Sequence, residues 1–354
     1  MNQKDFDLLI HKVSTKKNIY GAVFYVSTDN KDLDLISAAG EFEVDSRYYI
    51  ASINKLFIST VVLRLFYSGR IDIKDKISQY LPSDLATGLH VYKGVDYSNQ
   101  LTIEHLLSLT SGLPCYISDK QSNNKTVMEE LEQGFDQPWA TDKVFSVVKT
   151  MHPHFAPSNN EKAKYGDTNH QILSRIVENI FQDSIKHILT DLFKELGMNN
   201  TFVFEKILEK NFVPLRYKAE ILNIPEFLAS TQNDIISTAK DQMIFIKAFF
   251  QGYFFPKDKL KELKVWKNIF FPFKYGIGLQ KFYLPRVLNS FRTTPEILGH
   301  CGSVGSIAFY VPEKKLYITG TTNQQAKPQV AFQTLIKIVN RINNEYNNVS
   351  FPKN

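Results

Sequence analysis

Cysteine is nearly absent from this chain: Cys115 and Cys301 are the only two in 354 residues, so no disulfide framework supports the fold. The pair could form one bridge at most. Long apolar runs are missing too, and no stretch reaches the roughly 18 residues that a membrane-spanning helix needs. Charge of one sign is never concentrated. The 42 basic and 36 acidic residues give a net charge of +6, scattered along the chain without a block of like charges. A basic excess this mild and dispersed describes a solvated surface and gives no reason to expect nucleic-acid binding. Several catalytic signatures are also lacking. There is no GxSxG elbow, no phosphate-binding glycine loop, no HExxH and no paired CxxC. His152 and His154 lie two apart without a third ligand at metal spacing, so no metal site and no cofactor are expected.

What is present describes a globular protein with a full core: 43% hydrophobic and 22% charged residues. The opening MNQKDFDLLIHKV has no apolar leader region and reads as a short amphipathic helix. As written, the chain is expected in the cytoplasm, or in the periplasm or outside the cell if a leader has been removed. "IYGAVFYVSTDNKDLDLISAAGEFE" reads as two strands around an Asp-Asn turn. Residues from Ile53 to about Phe66 form a nearly unbroken apolar helix that should stop near Gly69. The middle is helical and loop-rich, with Thr102 and Thr238 or Ser237 as cap candidates. "KYGIGLQKFYL", "GSIAFYVPE" and "KKLYITGTTN" return to strand patterning, and a last helix runs from about Val330 to Tyr346. The expected class is α/β (α+β): an antiparallel sheet built from both termini and flanked by helices, carrying an inserted all-helical domain. Residues 1–65 and 236–354 would form the sheet domain and 66–235 the insert, with an active site in the cleft between them.

Three stretches can carry chemistry. Ser52-Ile53-Asn54-Lys55 opens the buried helix, and residues three apart share a helix face, so the lysine amine can reach the serine hydroxyl. A serine needs a neighbouring base to act as a nucleophile. A serine cap beside a surface lysine would look similar, but this lysine begins an apolar run, where an idle charge is costly. In "KYGDTNHQIL", Tyr165 and Asp167 lie two apart just before a helix. The tyrosine could relay protons, with Lys55 lowering its pKa; the bland alternative is a packing aromatic followed by a capping aspartate. In "LGHCGSVGSIAFYVPE", His300, Gly302 and Gly305 precede a strand, where glycine permits close backbone approach by a ligand; the bland alternative is a glycine-containing strand edge.

SxxK, then YxD before a helix, then HxG before a strand resembles the serine β-lactamase and penicillin-binding group. The closer likeness is to class C β-lactamases, D-alanyl-D-alanine carboxypeptidases and the esterases of that branch. "ASINKLF", "GRIDIKDKISQYLP", "LTIEHLLSLTSGLP", "NDIISTAKDQMIFI" and "YGIGL" share it, over about residues 20 to 325. The resemblance implies that Ser52 is acylated and that Lys55 and Tyr165 move its proton. It also implies that the N–H groups of Ser52 and Ser303 form the oxyanion hole, and that Asp167, His300, Cys301 and Gly302 face the substrate. Two residues depart from the family pattern. Asp167 stands where asparagine is common; a carboxylate cannot donate to a substrate carbonyl and would instead hold Lys55 charged or favour a cationic amine. Cys301 stands where a hydroxyl is common, and a thiol is a weak donor. The expected function is a serine hydrolase acting through an acyl-enzyme on a peptide, amide or ester. A penicillin-recognising protein without turnover and an inactive interaction protein on the same fold are the rival readings.

Overall fold

The structure is a computed structural model that describes residues 1–157, 162–206, 212–289 and 291–348, with side chains to 342. Residues 349–354 of the expected sheet domain therefore lie outside the described residues. Eight strands build the main sheet: β1 (Gly21–Thr28), β2 (Asp34–Gly40), β3 (Lys267–Phe270), β4 (Phe273–Tyr275), β5 (Gln280–Phe282), β6 (Ile297–Cys301), β7 (Ser306–Val311) and β8 (Leu316–Thr321). Their order is β3-β4-β5-β6-β7-β8-β1-β2, and every neighbouring pair is antiparallel. The seam between the two ends of the chain is β1 against β8, with Val23 opposite Thr321 and Thr28 opposite Leu316.

The helices that matter for the site are α1 (Gln3–Ser14), α2 (Asn54–Tyr67), α3 (Asp167–Phe181), α4 (Ile185–Leu196), α5 (Ala239–Gln251) and α6 (Gln329–Asn348). Strand alternation sends successive side chains to opposite faces and so divides the core in two. On one face Phe24, Val26, Phe309 and Ile318 meet Phe6, Leu9 and Ile10 of α1 and Leu335 and Ile338 of α6. On the other face Ala308, Tyr310 and Tyr317 meet α5, and that core runs on into α2, α3 and α4. Helix α2 is apolar almost all round because it is buried almost all round: Asn54 to Leu63 are all below one-tenth exposed. It stops where expected, at Ser68 and a left-handed Gly69 (φ 74°). Thr102 and Thr238 cap their helices as read.

The segment between the sheet's two contributions is helical but not purely so. Val91–Tyr92 pairs with Val95–Asp96, and Tyr48–Tyr49 and Phe202–Val203 flank Ile235–Ser237. "KYGIGLQKFYL" is no single strand either; it folds back as the β4–β5 hairpin. Gly276 N–H closes the bend on Leu279 O at 2.8 Å, and Gly278 takes φ 65°. The bend leans on the helices. Gly278 N–H donates to Leu107 O at 2.9 Å, and a Cβ there would sit 2.7 Å from Ser59 Cβ of α2. Positive φ and lack of space both require glycine at this position. Gly278→Ala should lower unfolding stability by about 2–4 kcal/mol in a denaturant titration, and an unchanged midpoint would contradict this packing.

Candidate active site

The site begins with a strained turn. Ile50 N–H pairs with Ile235 O at 3.1 Å, and Ala51 then takes a left-handed φ of 48° before one 3-10 turn leads into α2. For an alanine this conformation costs about 1–2 kcal/mol, so surrounding contacts must enforce it. The end of β6 and the start of β7 do so. Ser306 Oγ donates to Ile50 O at 2.6 Å. Gly302 packs so closely that a Cβ would lie 2.3 Å from Ser306 Oγ, 2.5 Å from Ile50 O and 2.8 Å from Ala51 Cβ. Only a glycine allows this approach, and it brings Ser303 into the same cleft wall as Ser52. The 302–306 turn is closed by Gly302 N–H to Ser306 O and Gly305 N–H to Gly302 O.

Lys55 sits one helical turn beyond Ser52 and is 2% exposed. Its Nζ donates to Ser52 Oγ at 3.0 Å and to Asp167 Oδ1 at 2.5 Å. Asp167 is the first residue of α3, whose N-cap is Gly166 without a side-chain cap bond. The carboxylate is therefore committed to Lys55 instead of capping the helix, and the α3 N-terminus favours its negative charge. Its other oxygen lies 3.6 Å from Cys115 Sγ. Burial, and then the Asp167 charge, push the Cys115 thiol up to about 11, so the sulfur is a protonated donor. Both cysteines are free, and they belong to different cores.

The Ser52 side chain acts on the Tyr165 phenol as a hydrogen-bonding neighbour that favours its ionised form, and the Tyr165 ring centroid is 5.5 Å from Lys55 Nζ. Its pKa moves in the direction opposite to that expected. Burial first, and then the negative charge of Asp167, hold the phenol well above its usual range. The YxD spacing showed both residues but not that the carboxylate would act on the phenol.

The third stretch divides by strand alternation. His300 is fully buried on the helical side of β6. Its Nδ1 lies 2.8 Å from the Cys301 carbonyl, which can only accept, so Nδ1 carries the proton and Nε2 faces Tyr275 Oη at 3.4 Å. Burial and the Lys55 charge lower its pKa to about 3, leaving a neutral ring. It stands behind the reacting groups and does not line the cleft. Cys301 points to the opposite face of the sheet, into the α1–α6 core, with Sγ 3.1 Å from Gln280 Oε1. Its thiol thus cannot replace a substrate-facing hydroxyl. Gly302 acts through the space it leaves beside Ala51.

The cleft is a cavity of about 180 Å³ between the nucleophile turn and the helical segment. Ile117, Met128, Leu131 and Phe227 give it apolar walls, and Tyr49, Asn54, Tyr116 and Asp234 line it as well. Asp234 is 4% exposed and accepts from Tyr49 Oη and Thr231 Oγ1, each at 2.6 Å. Burial pushes its carboxyl up to about 6, against the opposing effect of those two hydroxyls. Neither Asn54 nor Asp234 was singled out from the sequence. Asn54 lay inside the SxxK stretch, and the polar pair Asn233-Asp234 before an apolar strand was the only signal for the other.

The family model for Beta-lactamase matches residues 6–339. Protein flp of Staphylococcus aureus (strain NCTC 8325 / PS 47) is 24% identical over 281 residues, 74% of this chain and 51% of flp. This chain thus spans about half the length of that curated relative. The D-stereospecific amidohydrolase from a Streptomyces species superposes with a TM-score of 0.74 at 22% identity, covering 94% of this chain and 98% of its own. D-amino acid amidase from Ochrobactrum anthropi SV3, in its complex with L-phenylalanine amide, gives 0.77 at 17% identity over 98% of this chain and 100% of its own.

The buried Asp234 carboxylate has a measurable cost. In the unfolded chain it ionises near 3.9, in the fold near 6, so the native state binds more protons between those values and stability falls as pH rises through that window. Asp234→Asn removes this slope. The variant's stability relative to wild type should rise by about 3 kcal/mol between pH 4 and pH 7 in paired denaturant titrations, and a pH-independent difference would refute it.

Proposed function

The chain belongs to the Beta-lactamase family, and on that premise we propose that it is a serine hydrolase that acts on an amide, peptide or ester through an acyl-enzyme at Ser52. The observation that carries this reading is Lys55 Nζ placed between Ser52 Oγ at 3.0 Å and Asp167 Oδ1 at 2.5 Å, with Tyr165 on the same hydroxyl. Ser52 Oγ attacks the carbonyl carbon of the substrate. Tyr165 is a phenol in the resting site, so the transfer that fits is concerted: the Ser52 proton passes to the Tyr165 oxygen as the phenol's own proton passes to the leaving group. Lys55 donates to Ser52 Oγ throughout and stabilises the negative charge that develops there. The N–H groups of Ser52 and Ser303, which line the same cleft, are the donors assigned to the carbonyl oxygen as it becomes an oxyanion. Water then attacks the ester carbonyl, its proton passing to the Tyr165 oxygen as the phenol's own proton returns to Ser52 Oγ, which leaves as the acid product forms.

The charges in the cleft argue against a substrate recognised by its carboxylate. Among the described lining residues the only Lys or Arg is Lys55, and it is already paired with Asp167. Terminal-carboxylate recognition, as a carboxypeptidase requires, finds no uncommitted cation there. An amidase or esterase acting on a group without that carboxylate fits better.

The test is turnover of simple aryl esters and amino-acid anilides by wild type and Tyr165→Phe. The variant should lose about 10²- to 10⁴-fold in kcat/KM for the anilide, whose leaving group must be protonated. Its loss should be smaller for a nitrophenyl ester, which departs without a proton. Equal losses on both substrates would show that Tyr165 does not protonate the leaving group, and no loss on either would remove it from the proton path. Asp167→Asn keeps the shape but not the charge, and the folded protein should lose about 3–5 kcal/mol of stability as Lys55 is left buried without its counter-ion.

A further inference from the structure

The cleft beside Ser52 holds more hydrogen-bond acceptors than the protein uses. The Asp234 carboxylate takes one hydroxyl on each oxygen, and an ionised carboxylate can accept about four hydrogen bonds. Asn54 lines the same cavity and is 7% exposed. Its Nδ2 donates to Asn233 O at 3.1 Å and to Asn233 Oδ1 at 3.2 Å. The backbone carbonyl can only accept, so the amide orientation is fixed: nitrogen toward Asn233, oxygen away. That oxygen, Asn54 Oδ1, is buried and has no hydrogen-bond partner among the described residues. An orphaned buried acceptor normally points to a ligand or an ordered water.

Charge leads to the same place. Among the described residues, Lys55, Asp167 and Asp234 are the Lys, Arg, Asp and Glu that line the cavity. Lys55 and Asp167 cancel as an ion pair, which leaves Asp234 without a counter-charge. His170, also in the wall, is kept neutral by burial and does not compensate it.

We propose that Asn54 Oδ1 and the Asp234 carboxylate form an ammonium subsite, which selects substrates whose acyl portion carries a cationic amine. An ammonium offers three donors and no acceptor, which matches a wall of acceptors. A hydroxyl in the same place would leave the Asp234 charge uncompensated, and a carboxylate would add a second one. Ile117, Met128 and Phe227 give the rest of the group an apolar seat, so an arylalkyl or branched alkyl amine is the expected chemistry. The placement of the amine on the acyl portion rests on the hydrolase reading above, whereas amine binding does not.

The test is calorimetric titration of wild type and Asp234→Asn with phenethylamine and with its neutral isostere 2-phenylethanol, near pH 8 so that the amine is charged. Wild type should bind the amine about 10- to 100-fold more tightly than the alcohol, the range of a charge-assisted hydrogen bond, and that ratio should collapse toward one in the variant. Equal affinities in wild type, no binding of the amine, or a ratio that Asp234→Asn leaves intact would each overturn the subsite. The wild-type comparison needs no variant, so misfolding of Asp234→Asn does not remove the test; Asn54→Ala then provides the second variant, with a partial fall in the ratio expected. Labelling of Ser52 by a fluorophosphonate in the same samples reports separately on the hydrolase reading. Amine selectivity without labelling would keep the subsite and sink the reaction.

Discussion

The ion pair between Lys55 and Asp167 is the contact on which the rest of the site depends. It ties the first turn of α2 to the first turn of α3, and so joins two stretches 112 residues apart in the chain. A lysine at 2% exposure would be costly alone, and removing one partner of such a pair costs about 3–5 kcal/mol. With Asp167 in place, the ammonium can rest inside the protein and point a second donor at Ser52. Burial raises the Tyr165 and Cys115 pKa values, and the charge of the same carboxylate adds to the rise in both.

The turn that presents Ser52 is fixed by shape instead of charge. Ala51 is held in a left-handed conformation because Ile50 is bonded on one side to Ile235 and on the other to Ser306, while Gly302 leaves no room for the turn to relax. Strain of this kind persists only where surroundings over-determine it, and it displays Ser52 at the helix start. The sheet's contribution to the site is thus one glycine-sized gap, at Gly302 just after β6, and one hydroxyl, from Ser306 at the start of β7. Asp234 adds a third cost, a carboxylate kept in the wall at the expense of stability. Unfavourable features gathered in one cleft are what a binding and reacting site requires.

Much of this was legible in the sequence because it is local or periodic. Ser52 and Lys55 share a face by helical spacing alone, and the strands at both ends of the chain announced a sheet assembled across the termini. The resemblance then set the order of the three stretches. What stayed hidden depended on register or on distance in the chain. Whether Cys301 or His300 faces the cleft turns on a single residue of β6, and alternation sends the thiol to the α1–α6 side. The Gly276–Leu279 bend looked like strand because its apolar residues alternate; only the contact of Gly278 with α2 explains the fold-back. The Tyr165 phenol was expected to be lowered by Lys55, but the burial and the Asp167 charge that raise it are three-dimensional facts. Asp234 reaches Tyr49 across 185 residues, which no local pattern could show.

The most direct test of the account is the intact mass of the protein after exposure to a fluorophosphonate, for wild type, Ser52→Ala and Lys55→Ala. The account predicts one stoichiometric adduct on wild type, none on Ser52→Ala, and strongly slowed labelling of a still-folded Lys55→Ala. An adduct that survives Ser52→Ala, or a wild type that never reacts, would contradict the claim that this buried cluster activates Ser52.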